Sequence, residues 1–251
     1  MMDGSASGFP LYLGPDITSN GARRPNLSHR ATEYLAEAGA TPDTLFYHAL
    51  AVLHAPAYRT QNAGALRQDW PRLPLPAAPA ALLASAALGR QVAALLDERR
   101  PVPGVTHGAV APELRPLGAP QRRPGAPDDQ LHPAEGHFAL RAQWGTRANG
   151  TVLPGKGRTT PTPGRETTHL DVWLNDEACW AAVPTAVWAT TLGGYPVLKK
   201  WLSYRAAPVL GRDLTADEVQ EFMRLVRRLA ALLALAPALD AVYAASAEGG
   251  A

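Results

Sequence analysis

Proline decides which parts of this chain can be regular structure. It lacks the amide hydrogen and clashes with the preceding turn, so helices start at a proline or stop before one. Pro42 suits the opening of a helix with Thr41 as its cap, and Pro56 suits its end. Between them Leu45, Ala49, Val52 and Leu53 share one face. A further helical turn is expected over residues 62–69. The run WPRLPLP at 70–76 is forced into an extended path, and another helix is expected from Pro79 to about Glu98. From 101 to 133 proline, glycine and charge crowd together, which predicts a long loop region. The 24 prolines and 22 glycines among 251 residues still fall short of the roughly 25–30% typical of disordered chains.

Beyond that region the hydrophobic period changes to two. Phe138, Leu140, Ala142 and Trp144 alternate with His137, Ala139, Arg141 and Gln143, predicting a strand, with 151–153 as its expected partner. Leu170, Val172 and Leu174 alternate in the same way with His169, Asp171 and Trp173. The last third reads as helical. Pro184 opens a helix that Gly193 and Gly194 are expected to stop. Val197, Leu198, Trp201 and Leu202 form one face of the next. Thr215 and Glu218 have the spacing of a capping box. After it Val219, Phe222, Met223, Val226, Leu229, Ala230 and Leu233 make a stripe, with Arg224, Arg227 and Arg228 off it. Tyr58, Trp70, Trp188, Tyr195, Trp201 and Tyr204 read as packing residues.

Several chemistries are excluded by missing parts. GTVLPGK at 150–156 approaches a phosphate-binding loop, but Gly157 follows the lysine where a hydroxyl is needed, and Pro154 removes an amide from the cradle. An amino-methyltransferase needs Pro-Pro followed by an aromatic, and the chain has no Pro-Pro pair. None of Phe9, Phe46, Phe138 or Phe222 has glycine two places on, as its cofactor loop requires. No lysine follows an acidic residue at the spacing of a common nuclease core. His48 and His54 lie six apart and point in different directions on a helix. They, with His132 and His137, read as surface or core histidines. The one cysteine, Cys179, rules out an internal disulfide and points to an intracellular chain. The Ala/Leu stretches at 77–88 and 229–239 read as buried helices too short to span a bilayer, so a cytoplasmic location without membrane contact is expected. Net charge is only +2, but basic residues cluster at 99–100, 122–123, 156–158, 199–200 and 224–228, and local clusters can hold phosphate on a near-neutral molecule.

Three segments carry a resemblance. They are LFYHALAVLHAPAYRTQNAGALRQDWPRLPLP within 43–76, TVLPGK at 151–156, and NDEACWAAVPTAVWATTLGGYPVLKKWLSYRAAPVLGRDL at 175–214. The most specific parts are AVLHAPAY at 51–58 and LGGYPVLKKW at 192–201. Together they resemble the C-terminal specificity region of type ISP restriction–modification enzymes and related single-chain adenine methyltransferases, from about Phe9 to Leu235. The resemblance implies a module that reads double-stranded DNA for a methyltransferase. Such a catalytic part, using S-adenosylmethionine, would come from a partner chain, unless the gene is a remnant; no cofactor is expected in this chain.

The fold expected is α+β, one recognition domain overall: a central mixed or antiparallel sheet with recognition loops, flanked by N-terminal and C-terminal helices. Residues 1–8 are expected to be flexible, 9–100 mainly helical, 101–133 loop, and 134–245 sheet plus the C-terminal helical part. Arg141, Gln143, Lys156, Arg158, Thr159, Thr160 and Arg165 are candidates for base readout, because arginine can fork to guanine and glutamine to adenine. Lys199, Lys200, Arg205, Arg224, Arg227 and Arg228 are candidates for phosphate contact. The alternatives are an assembly module that docks a methyltransferase subunit, an enzyme with a deep pocket of its own, and a non-functional fragment.

Overall fold

A computed structural model describes residues 10–14 and 23–248. The flexible start expected over residues 1–8, and Phe9, lie outside the described residues. The chain is α+β, and its sheets are antiparallel. It divides into two compact units, one of residues 1–94 and 235–251, the other of residues 95–234. This division differs from the expected one, because the last helix, Ala236–Glu248, packs with the N-terminal helices.

The first unit is helical. A short pair, β1 (Tyr12–Leu13) and β2 (Arg24–Pro25), precedes α1 (His29–Glu37) and α2 (Pro42–His54). Thr41 stands at the N-cap of α2, as expected. Pro56 ends α2 and also opens α3 (Pro56–Gln61), a helix not foreseen, while the turn expected at 62–69 shrinks to a 3₁₀ segment at Ala65–Arg67. Proline at the first helical position loses no hydrogen bond, so one residue can serve both helices. The last helix docks on α3: Asp240 Oδ1 accepts from Ala57 N at 2.8 Å, and the Tyr58 and Tyr243 rings meet edge to face at 5.3 Å.

The 70–76 run is extended, and its docking explains why. With few amides to offer, it is held by its carbonyls. Tyr58 Oη donates to Arg72 O at 3.0 Å, and Tyr34 Oη donates to Pro76 O at 2.8 Å. Between them His48 Nε2 meets Pro74 O at 2.9 Å, and its Nδ1 meets Ser85 Oγ at 2.9 Å. A carbonyl only accepts, so Nε2 carries the proton and Ser85 donates to Nδ1. The spacing of two places all three carbonyls on one side of an extended chain. His48 is thus a core histidine with both nitrogens satisfied, and burial lowers its pKa.

Ser85 lies on α4 (Pro79–Leu96), where Leu82, Ser85, Ala86, Gly89 and Val92 form the buried face. A Cβ at Gly89 would stand 1.8 Å from the Tyr47 carbonyl, so glycine sets how closely α2 and α4 can cross. At 18 residues and a mean hydropathy of 1.4, α4 is long and apolar enough to cross a membrane. The sequence reading took this stretch as too short. A third of its residues are buried, chiefly those of the face just described.

The second unit is built on a four-stranded antiparallel sheet in the order β3-β8-β7-β6. Its strands are β3 (Ala119–Arg122), β6 (Thr159–Pro161), β7 (His169–Trp173) and β8 (Ala178–Pro184). Strand β3 lies inside the stretch expected to be loop. Its one proline, Pro120, is tolerated because it is an edge strand, paired on one side only. A separate hairpin joins β4 (Gly145–Ala148) to β5 (Thr151–Pro154), so 151–153 pairs with the segment after the expected partner. Helix α5 spans only Thr185–Trp188. Gly193 and Gly194, both with positive φ, turn a hairpin between β9 (Thr191–Leu192) and β10 (Tyr195–Pro196) and do not cap a helix. Then follow α6 (Val197–Arg205), α7 (Ala207–Leu210) and α8 (Ala216–Ala234).

The core of this unit gathers Trp144, Trp180, Leu198, Leu202, Phe222 and Val226 around the inner face of the sheet. Trp180 stacks 4.2 Å from Phe222 and donates its indole N–H to Val219 O at 3.0 Å. On α8, Leu232 is buried where Leu233 was expected. Cys179 is fully buried in β8, and its thiol is pushed up to about 12 by burial and the nearby Asp171 charge. It is therefore an inert packing residue.

The capping box forms as read. Thr215 N donates to Glu218 Oε2 at 2.8 Å, and Glu218 N donates to Thr215 Oγ1 at 3.2 Å. Hydrogen bonds from Arg212 add to it and hold the Glu218 carboxyl well down, from 4.5 to about 2. A depressed carboxyl contributes stability that is complete above its unfolded pKa and lost as pH falls through the folded one. Two outcomes follow. Glu218→Gln lowers stability by about 1 kcal/mol in urea unfolding at pH 7, and the gap between the two proteins closes between pH 4.5 and about 2. Tyr58→Phe, which strands the Arg72 carbonyl, costs about 1–3 kcal/mol in the same assay.

Candidate functional site

Two open concavities adjoin on the second unit. The larger, about 710 Å³, is lined by residues of 135–143, 157–158 and 175–177. The smaller, about 340 Å³, runs from Leu140 to Thr146 and along Gly155, Lys156, Ala206 and Pro208. Arg141 and Gln143 line both. Arg158 lines the first and Lys156 the second. Four of the seven base-readout candidates therefore converge on one groove, polar in its larger part and mainly apolar in its smaller. Thr159, Thr160 and Arg165 do not line it. Thr160 Oγ1 is occupied by the Trp173 indole N–H at 2.9 Å, and Arg165 sits in the turn between β6 and β7.

The groove exists because residues 138–144 are not a strand. The alternation seen in the sequence is not the burial pattern, since Phe138, Ala139 and Leu140 are all buried in succession. Their carbonyls pair irregularly: Leu214 N donates to Phe138 O at 3.1 Å, and Ala207 N donates to Leu140 O at 2.9 Å. Arg141 N and Ala142 N both donate to Leu174 O, at 2.8 and 2.9 Å. Gln143 then adopts a positive φ of 58°, a sparsely populated conformation for a non-glycine residue. This kink leaves Arg141 and Gln143 exposed while Leu140 and Trp144 on either side stay buried.

Beneath the segment lies Asn175, which sequence reasoning missed. Its Nδ2 faces the carbonyls of Gly136, His137 and Ala139 at 3.3, 3.1 and 2.9 Å. Its Oδ1 accepts from Glu177 N and Ala178 N at 2.9 and 3.1 Å. One side chain closes the turn from β7 to β8 and anchors the loop that forms the groove wall. The available signal was Asn-Asp-Glu between two apolar runs, the composition of an Asx turn.

The other wall is set by glycines. Gly155 N donates to Trp144 O at 2.7 Å, and Gly157 N donates to Gln143 O at 3.0 Å. A Cβ at Gly155 would lie 2.0 Å from Gln143 O, and one at Gly157 would lie 2.0 Å from the Trp144 ring. The PGKG stretch is thus a close-approach segment that presents Lys156 at the groove, which agrees with its failure as a phosphate loop. Trp144 is buried and donates its indole N–H to Trp173 O at 2.7 Å.

Charges in and around the groove are largely paired. Arg158 Nη1 meets Asp176 Oδ1 at 2.6 Å, and Arg141 Nη2 lies 3.6 Å from Asp213. Among the phosphate candidates, Arg205 pairs with Glu221 at 3.0 Å and Arg224 with Asp217 at 2.9 Å. Arg227 donates to Arg115 O at 2.6 Å. Arg228 is 5% exposed and donates to the carbonyls of Leu95, Glu98 and Arg100. Its guanidinium is committed to the interior. Lys199 and Lys200 lie over the Trp188 and Tyr195 rings at 5.4 and 3.9 Å. Tyr195, Tyr204 and Trp70, read as packing residues, are 47%, 49% and 64% exposed, a correction to that reading. No group of three or more metal-ligating side chains is present among the described residues.

Removing the clamp should loosen the groove. Asn175→Ala is expected to cost about 2–3 kcal/mol in urea unfolding, through carbonyls and amides left unpaired. Amide hydrogen exchange should rise at 136–139 and 177–178 ahead of the sheet.

The profile of the Type ISP C-terminal specificity domain matches residues 1–230. A search of curated proteins returned no match. Among solved structures, a chain of the DrdV–DNA complex determined by cryo-electron microscopy is 20% identical, with a TM-score of 0.53 over 92% of this chain and 21% of that one. The structure of a nuclease-deletion mutant of the Type ISP restriction-modification enzyme LlaGI with a DNA substrate mimic is 14% identical, with a TM-score of 0.48 over 93% and 17%. The chain spans about a fifth of the length of each. With the profile covering all but the last helical stretch, this chain belongs to the Type ISP C-terminal specificity domain family.

Proposed function

We propose that this chain recognises a sequence in double-stranded DNA on behalf of a restriction–modification enzyme, and that it reads the bases with the groove around Arg141 and Gln143. The observation that carries the reading is membership of a specificity-domain family across residues 1–230. The groove supplies the place. It is open and brings together two arginines, a lysine and a glutamine, the side chains suited to guanine and adenine edges.

The geometry supports a division of labour. Arg141, Gln143 and Arg158 stand on backbone fixed by hydrogen bonds, as base reading requires. Lys156, Lys199 and Lys200 are flexible point charges suited to phosphate. Arg205 and Arg224 can reach phosphate only by giving up a carboxylate; the Arg224–Asp217 pair is exposed and worth only about 0–1 kcal/mol, whereas Arg205–Glu221 is half-buried and Glu221 also accepts from the Trp201 indole N–H. Methyl transfer, with S-adenosylmethionine as donor, belongs in this reading to another part of the enzyme.

Selection from a random duplex pool, with sequencing of the retained fraction, tests the proposal. One short motif is expected to be enriched. Arg141→Ala or Gln143→Ala should relax the preference at one position by about 1–3 kcal/mol. Lys156→Ala should weaken all duplexes alike and flatten the dependence of log affinity on log salt by about one. Retention of no duplex at 50 mM salt, by a chain shown to be folded, would sink the idea.

A further inference from the structure

We propose that Arg158 is a guanine reader whose fork is held ready by Trp173 and Asp176, which act as positioning residues. This rests on the duplex-reading proposal and names the base that one part of the groove takes.

Three constraints fix the guanidinium. The first is the backbone. Trp173 N donates to Arg158 O at 3.0 Å, and the register Thr159↔Val172 sets Arg158 beside Trp173 at the start of β6. The second is the ring beneath it. The guanidinium carbon lies 4.2 Å from the centre of the Trp173 ring. That ring is itself pinned, 7% exposed and donating through its indole N–H to Thr160 Oγ1. The third is the contact with Asp176. Nη1 alone is taken, by Asp176 Oδ1 at 2.6 Å. Among the described residues no hydrogen bond reaches Nε or Nη2 of Arg158. The edge those two nitrogens form is a two-donor fork, and it matches the O6 and N7 acceptors that guanine presents in the major groove.

The arrangement differs from an ordinary surface ion pair. Asp176 occupies one of the five N–H donors and leaves a complete fork available. Its side chain is 94% exposed, so burial does not hold the pair together. Arginine normally loses rotamer freedom on binding a base. Here the contacts with the Trp173 ring and with Asp176 restrict that freedom beforehand. Holding a donor in place does not alter which base it fits, but it sharpens the penalty for a base that offers one acceptor in the wrong position.

Removal of Asp176 should therefore do two opposite things. Loss of a negative charge should raise affinity for every duplex. Loss of the positioning contact should lower the preference for guanine at one position only. A purely electrostatic role gives the first effect without the second.

The test is sequencing of duplexes selected from a random pool by the full chain, wild type and three variants, at one salt concentration. Arg158→Lys keeps the charge and loses the fork, and should reduce the guanine preference at one position on the order of tenfold. Asp176→Ala should raise overall retention and reduce preference at that same position by about threefold. Asp176→Asn, which keeps an acceptor at Oδ1, should raise retention similarly with a smaller loss. A motif unchanged by Arg158→Lys overturns the reader. Uniform strengthening by Asp176→Ala, with every positional preference intact, overturns the positioning role. If the wild type enriches no motif, the duplex-reading proposal itself fails. A motif that responds to Arg141 or Gln143 but not to Arg158 or Asp176 sinks this inference alone.

Discussion

The carboxamide of Asn175 is the interaction on which the groove depends. A carboxamide has one end that donates and one that accepts, and here each end meets its complement: carbonyls at Nδ2, amides at Oδ1. Swapping nitrogen and oxygen would set donors against donors, so the chemistry permits a single orientation. Neither aspartate nor leucine could replace it, since the first has no donor and the second has neither end. The sheet reaches the groove through this residue. Strand β7 ends beside it, β8 begins after it, and the loop at 136–139 hangs from it. Trp144 then closes the far side by reaching Trp173 O.

Electrostatics in this unit work by local compensation. Positive charge is spread over many sites, and most arginines near the groove or on α8 have a carboxylate or carbonyl of their own. A net charge of +2 is the global result. Under the duplex-reading proposal, weak general attraction is useful. Phosphates attract any excess of positive charge regardless of sequence. Pairing most of these guanidinium groups with an internal partner lowers that background.

Much of the architecture was legible where one residue carries one rule. Proline at a helix start marked α2 and α4, the Thr215–Glu218 pair marked α8, and alternation marked β7. Reading failed where two rules compete. At 138–144 the alternation of apolar residues satisfied the strand pattern, yet the backbone bonds irregularly to Leu214, Ala207 and Leu174 and turns to a positive φ at Gln143, which no strand ladder accommodates. At 193–194 two glycines fit both a helix stop and a hairpin, and the pairing of Thr191–Leu192 with Tyr195–Pro196 decided it. Of the site, the sequence indicated Arg141, Gln143, Lys156 and Arg158 by residue type, and the structure brought them to one groove. Asn175 and Asp176 were invisible because polar residues in a turn look alike until the turn has a neighbour. Arg228 shows the converse, a charge placed on the open face of a helix by periodicity and drawn inward by three carbonyls.

Lys156 stands between two glycines that make all the close contacts of its segment. The backbone amides of Gly155 and Gly157 fasten the strip to Gln143 and Trp144, and the missing side chains at those positions let it lie flat. The lysine side chain has no part in that fastening. Position 156 is therefore an interchangeable socket, where the frame is specified by its neighbours and the occupant is left open. On the proposed reading, such a socket lets the strength of the phosphate contact be tuned by exchanging one residue while the backbone that carries Gln143 and Trp144 stays as it is.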